Sequence, residues 1–135
     1  MYQSDSTRIL AGILLLSLVT VESGGLYLVK LVRGNAPATP FQLGFARAGH
    51  AHAGVLLILS LVIQVYVDGS GLTGLAEWVA RSLVPIAALL MPAGFFFSSM
   101  GAGRTEPNRL IALVWAGAVS LAIGLATLGI GLLVK

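Results

Sequence analysis

Four long apolar segments dominate this chain, and polar linkers rich in glycine or proline separate them. The segments cover approximately residues 7–32, 41–67, 75–100 and 107–134. About 20 apolar residues are enough for a helix to cross the hydrocarbon core of a bilayer. Backbone groups in lipid must find hydrogen-bond partners within their own segment, so each segment is predicted to be a helix. Short linkers make successive helices antiparallel. The expected fold class is therefore all-α, a transmembrane up-down four-helix bundle.

The composition leaves no room for a soluble domain. Of the 135 residues, 57% are hydrophobic and 10% are charged, whereas soluble domains carry roughly 25% charged residues. Residues 1–135 are therefore predicted to form a single integral membrane domain, with the lipid bilayer as a partner. The net charge of +3 comes from basic residues scattered at the segment ends, so nucleic acid is not an expected partner. The first segment lacks a following cleavage site of small residues, which favours a retained span.

Residues at the segment ends predict where the helices begin. Ser6 or Thr7 can cap the first helix, and Pro107 suits the first turn of the fourth. Pro85 and Pro92 lie within the third segment. Each proline removes one backbone hydrogen bond, so a kinked helix is expected there.

The basic residues near the span ends predict the orientation in the membrane. The linkers after the first and third segments (loops one and three), with the adjoining helix ends, carry five basic residues, and the opposite side carries three. Basic residues favour the cytoplasmic side, so loops one and three are expected in the cytoplasm. A multi-pass protein of the bacterial inner membrane is expected. The five are Lys30, Arg33, Arg47, Arg104 and Arg109, and the three are Arg8, Arg81 and Lys135.

A stripe of small residues runs along the fourth segment. Gly117, Ser120, Gly124, Thr127 and Gly131 recur at spacings of three and four residues, which places them on one helix face. Small residues let a second helix approach closely. The stripe is expected to pack inside the bundle, and self-association through the same face is the alternative.

The two histidines of the chain lie two residues apart, in Gly49-His50-Ala51-His52-Ala53-Gly54. Ionisable side chains within a membrane span are rare and mark functional sites. Glu22 lies eleven residues before Arg33, and the histidines lie ten and twelve residues after Pro40. At 1.5 Å per residue all three are roughly 15–18 Å from the connecting loop. Glu22, His50 and His52 are therefore predicted to share one layer of the membrane.

The spacing of the histidines determines what each can bind. Residues i and i+2 of a helix are about 200° apart, so His50 and His52 cannot chelate one ion from a single helix face. Each needs its own partner. His50 shares its face with Arg47 and Gln64 and is expected to face the bundle interior, while His52 is expected to face a neighbouring span or another subunit.

Three interpretations of this layer remain open. In the first, Glu22 hydrogen-bonds a histidine, and the contact only holds the helices together. In the second, one or both histidines bind the iron of haem b or another transition metal, and a histidine from a second copy of the chain supplies a further ligand. In the third, Glu22 and a histidine form a proton relay in a small proton-coupled transporter, because histidine titrates near neutral pH.

The segment Gly49-His50-Ala51-His52-Ala53-Gly54-Val55-Leu56 resembles the His-x-His helix in the catalytic subunit of haem–copper oxidases, especially the cbb3 type. In that family the two histidines lie on opposite faces of one helix, and they bind the high-spin and the low-spin haem respectively. The resemblance implies that His50 matches the first histidine and His52 the second. The whole chain is also similar to small four-span bacterial membrane proteins with a G-H-x-H-x-G hexad, a likeness that implies no particular activity.

The departures from the oxidase pattern limit what the resemblance implies. The family's catalytic subunit has many more spans and several further metal-ligand histidines, whereas this chain has only His50 and His52. The chain is therefore not an oxidase catalytic subunit. We expect a small redox-type or respiratory-complex subunit for electron transport, in which Glu22, His50 and His52 bind haem or a metal ion, as a homo-oligomer or in a larger complex. A non-catalytic accessory subunit and a small transporter are the alternatives. No catalytic motif is present, so enzymatic activity is not favoured.

Overall fold

The computed structural model describes residues 4–134 of the chain. Its four long helices are α1 (Asp5–Val32), α2 (Pro40–Ser70), α3 (Gly74–Ser98) and α4 (Ala112–Leu133). A short 3-10 helix at Arg109–Ile111 leads into α4. All four spans are long and apolar enough to cross a membrane, so the predicted all-α bundle of four membrane helices is confirmed. Lys135, one of the charges in the orientation argument, lies outside the described residues.

The starts of α1 and α2 are determined by side-chain caps. Ser4, rather than Ser6 or Thr7, caps α1, and its hydroxyl accepts a hydrogen bond from the Thr7 backbone N–H at 3.1 Å. Thr39 and Gln42 form a reciprocal capping box around the start of α2. This arrangement satisfies backbone donors that have no partner within the first helical turn.

The fourth helix begins later than predicted. Asn108 precedes the 3-10 turn, and its side-chain oxygen accepts a hydrogen bond from the Leu110 backbone N–H at 2.8 Å. Asparagine is a favoured N-cap, so the helical region starts after Asn108 and α4 itself starts at Ala112. Pro107 therefore lies in the loop and not in the first helical turn.

Contacts between loops establish the up-down topology. The Gln42 amide donates to the backbone carbonyls of Ser99 and Gly101 at 2.9 and 2.8 Å, which places loops one and three at the same end of the bundle. At the opposite end, the Ser4 hydroxyl donates to the Asp68 carboxylate at 2.8 Å. The described N- and C-terminal segments thus lie on the same side, as predicted.

The helices pack unequally. The contact of α3 with α4 is the most extensive, followed by those of α2 with α3 and of α1 with α2. Among the described helices, the extensive backbone contact of α1 is with α2. Two apolar clusters form the core, one near mid-depth and one nearer the second loop: Leu14, Leu56, Leu57, Ala88 and Met91 in the first, and Ile63, Val67, Ala80, Val84 and Leu128 in the second.

The stripe of small residues on α4 faces α3 within the bundle. The Ser120 hydroxyl donates to a backbone carbonyl of α3 at 2.7 Å. A Cβ atom on Gly117, Gly124 or Gly131 would lie 2.5–3.0 Å from side chains of α3 or of the turn before it. Thr127 is the exception, because its hydroxyl bonds a carbonyl of its own helix. Close packing of α3 on α4 therefore depends on these small side chains.

Candidate functional site

His50 and His52 lie in the middle of α2 and face different helices. A Cβ atom on Gly25 would lie 3.3 Å from Cε1 of His50, so His50 packs on α1. The ring centroid of His52 lies 5.0 Å from that of Phe95, so His52 faces α3. The two imidazoles therefore have separate environments, as the angle of about 200° between residues i and i+2 predicts.

The imidazole of His52 is oriented by its own helix. Its Nδ1 lies 2.8 Å from the carbonyl oxygen of Ala48. A carbonyl only accepts hydrogen bonds, so Nδ1 carries the proton and the lone pair of the neutral ring is on Nε2. Metal-binding histidines commonly have this arrangement, in which one ring nitrogen donates to a carbonyl and the other binds the metal. The half-buried ring lines an open groove of about 310 Å³ together with Met91 and Leu121.

The imidazole of His50 is not oriented by a comparable hydrogen bond. It makes no hydrogen bond to another residue of the described part of the chain, residues 4–134. It lines an open groove of about 610 Å³ between α1 and α2, in which the other lining residues belong to α1 or to its C-terminal end. His50 was expected to face the bundle interior, and instead it is half-buried at the edge of the α1–α2 contact. Leu28, Val29 and Val32 form the walls of the groove, and Arg33 is at its rim.

Glu22 does not join the histidines through a hydrogen bond. Its side chain is exposed, and between Ser4 and Val134 it makes neither a hydrogen bond nor an ion pair. The expected depth is right, since Gly24 and Gly25, just after Glu22, contact His50. Depth along a helix does not determine which way a side chain points. The hydrogen bond between Glu22 and a histidine, one of the three interpretations of this layer, is not present among the described residues.

The most extensive polar cluster of the described residues lies elsewhere, around Arg81 near the second loop. This side chain is 2% exposed. Its guanidinium donates to Asp68 at 2.5 Å, to Glu77 at 2.9 Å and to Thr7 at 2.7 Å. Longer bonds of 3.4 Å reach Gln64 and Ser4. The cluster therefore joins the start of α1, the end of α2 and the first turns of α3.

Gln64 also replaces a backbone hydrogen bond that Pro85 removes from α3. Pro85 has no N–H, so the carbonyl of Arg81, four residues earlier, loses its usual donor. The Gln64 amide, which is completely buried, donates to this carbonyl at 2.9 Å. Among the described residues, every fully buried side-chain nitrogen or oxygen atom has a hydrogen-bond partner. The cluster around Arg81 is thus saturated, and it is suited to holding helices together rather than to binding a ligand.

In the sequence analysis Arg81 counts only as a basic residue near a span end, and the cluster around it is not predicted. Two signals could have revealed the cluster. Glu77 and Arg81 are four residues apart on one helix, as are Gln64 and Asp68 on the preceding one, and such pairs share a helix face. The short second loop then brings the two faces together.

The described residues contain no group of three or more histidine, cysteine, aspartate or glutamate side chains that could hold a metal ion. Comparison with known proteins adds no family: no family model, no curated protein and no solved structure matches the chain.

Proposed function

We propose that this membrane protein is a small haem-binding subunit in which Nε2 of His52 would hold the iron. The observation that carries the proposal is the hydrogen bond from His52 Nδ1 to the carbonyl of Ala48, 2.8 Å long. It holds the ring in the tautomer that leaves Nε2 free to bind a metal. Apart from His52 itself, the groove beside this ring is lined by apolar residues, which suits the apolar faces of a porphyrin ring.

The small number of donors favours haem over a bare metal ion. A structural or catalytic transition-metal site usually needs three or four protein ligands, and no such group is found in residues 4–134. A porphyrin brings four nitrogen ligands of its own, so one imidazole from the protein is enough to anchor it. Haem b is therefore the cofactor that the available side chains suit best.

The shape of the groove supports an oligomer or a larger complex. The groove beside His52 is open along its length and is lined by Ala51, Val55, Leu56, Met91 and Leu121. It would cover only one face of a flat group. A second copy of the chain or another respiratory-complex subunit would supply the cover for the other face, which suits a role in electron transport.

Replacing His52 by alanine should strongly weaken haem binding. We expect the purified wild-type protein, after haem is added, to show a Soret band of defined stoichiometry. The His52→Ala variant should bind haem about 100-fold more weakly, because it lacks the imidazole that would hold the iron. His50→Ala is the matched control and should keep the Soret band. Absence of a stoichiometric band in the wild type, or an unchanged band in His52→Ala, would contradict the proposal.

A non-catalytic accessory subunit is the second candidate. It is favoured by the large apolar side chains that α1 and α4 leave exposed, among them Leu16, Leu26, Trp115 and Ile130. Exposed apolar faces suit contact with lipid or with another membrane subunit. A proton-coupled transporter has no support from the described contacts, because Glu22 and the histidines make no hydrogen bond to each other.

We also propose that loops one and three face the cytoplasm of a bacterial inner membrane, following the distribution of basic residues. The chain has no cysteine, so single-cysteine variants can report the orientation. A cysteine at Asn35 should resist a membrane-impermeant thiol reagent in intact spheroplasts, and one at Thr73 should react. Both side chains are exposed. The reverse labelling pattern would show that the orientation is wrong.

A further inference from the structure

The groove between α1 and α2 contains a hydrogen-bonding group that nothing else in the described structure uses. His50 bonds no other residue, yet residues 4–134 contain no fully buried side-chain nitrogen or oxygen without a partner. The ring nitrogens of His50 are therefore accessible from the groove. In a hydrocarbon environment an unpaired imidazole is costly, and a bound polar group would remove that cost.

The small size of Gly24 and Gly25 lets the imidazole of His50 lie directly against α1. A Cβ atom on Gly25 would lie 3.5 Å from Nε2 of His50, so the imidazole fills the space beside the glycines, and an occupant must approach it from the open groove. Leu28, Val29 and Val32, which also line the groove, are apolar. An occupant of this groove of about 610 Å³ must therefore be apolar over most of its length.

The depth of His50 determines the polar part of the occupant. Gly25, which contacts His50, lies eight residues before Arg33 at the rim, a distance of about 12 Å along the helix. The charged headgroup of a phospholipid would stay beside Arg33 at the membrane surface. A group that reaches His50 should be uncharged and should hydrogen-bond an imidazole, which donates from one ring nitrogen and accepts at the other.

We propose that this groove binds an isoprenoid quinone, with His50 donating a hydrogen bond to one of its carbonyl oxygens. A quinone combines an uncharged ring, carbonyl acceptors for the unpaired imidazole and a long apolar tail that suits the apolar lining of the groove. The tail lies against Leu28 and Val29 or extends into the lipid. The site is separate from the haem site proposed at His52, because the two rings lie on opposite faces of α2.

The presence of only two histidines makes the test direct. The full chain, with histidine labelled by ¹⁵N, is placed in nanodiscs of phosphatidylethanolamine and phosphatidylglycerol and titrated with decylubiquinone. The His50 ring signals should shift in a saturable way and those of His52 should not. His50→Phe should weaken binding about tenfold, the equivalent of one lost hydrogen bond.

Two further variants make the outcome independent of folding problems in His50→Phe. Val29→Phe narrows the groove but keeps the imidazole, and it should weaken decylubiquinone binding about tenfold through steric exclusion. His52→Phe should bind decylubiquinone as the wild type does, even though it would lose haem. The proposal is overturned if the wild type shows no saturable shift, if His50→Phe and Val29→Phe bind normally, or if phosphatidylglycerol alone produces the His50 shift.

Discussion

The Arg81→Met variant should lose about 3–5 kcal/mol of its free energy of unfolding, the usual effect of removing one partner from a buried ion pair. Methionine fills the same space but cannot donate to Asp68, whose side chain is 12% exposed. The carboxylate is then left mostly buried without its cation. Reversible unfolding in mixed detergent micelles, followed by circular dichroism, would measure the difference.

Two control variants separate the effect of burial on stability from the effect of charge. Arg8 forms an exposed pair with Asp5 in which the side chains are 74% and 85% exposed, and Arg8→Met should cost no more than about 1 kcal/mol. Adding Asp68→Asn to Arg81→Met should restore part of the lost stability, because the uncompensated charge is gone. Equal losses in Arg8→Met and Arg81→Met would show that the Arg81 cluster does not hold the helices together.

The second large effect is expected from Gly94→Ala, at the contact of α3 with α4. A Cβ atom at Gly94 would lie 2.7 Å from both the backbone nitrogen and Cγ2 of Val114. Backbone cannot move aside as a flexible side chain can, so the two helices must separate. Overpacking of this kind costs about 1–3 kcal/mol, and the same unfolding experiment measures it.

Gly54→Ala is the matched control for this substitution. Gly54 also lies within a helix, but a Cβ atom there would meet nothing within 4 Å. Alanine favours the helix by roughly 0.5–1 kcal/mol over glycine, so Gly54→Ala should be neutral or slightly stabilising. If Gly94→Ala is equally harmless, α3 and α4 do not depend on a side chain as small as glycine at this point.

The helices were predictable from the sequence because hydropathy acts over 20 residues and polar residues mark the ends. The exact helix ends depend on which side chain caps the free backbone N–H groups of the first turn. At the start of α4, Asn108 offers a side-chain oxygen to a backbone donor, whereas Pro107 only has a suitable backbone angle. The cap therefore decides the boundary. Similarly, Ser4 caps α1 from a position before the apolar pattern begins.

The candidate sites were predictable only in part. The opposite orientation of His50 and His52 follows from helix geometry alone, and in the structure the two rings do face different helices. The direction of Glu22 depends on the rotation of α1 against α2, which a single sequence does not reveal. The burial of Arg81 depends on three helix ends that meet. In the sequence, Glu77 and Arg81 look like an ordinary exposed ion pair on one helix face.

The cluster around Arg81 also has a consequence for biogenesis. Chains emerge from the ribosome N-terminus first, so the first two helices are synthesised while Asp68 still lacks its counter-ion. Arg81 follows thirteen residues later. The ion pair that joins the end of α2 to α3 can therefore form only after the third span has been synthesised.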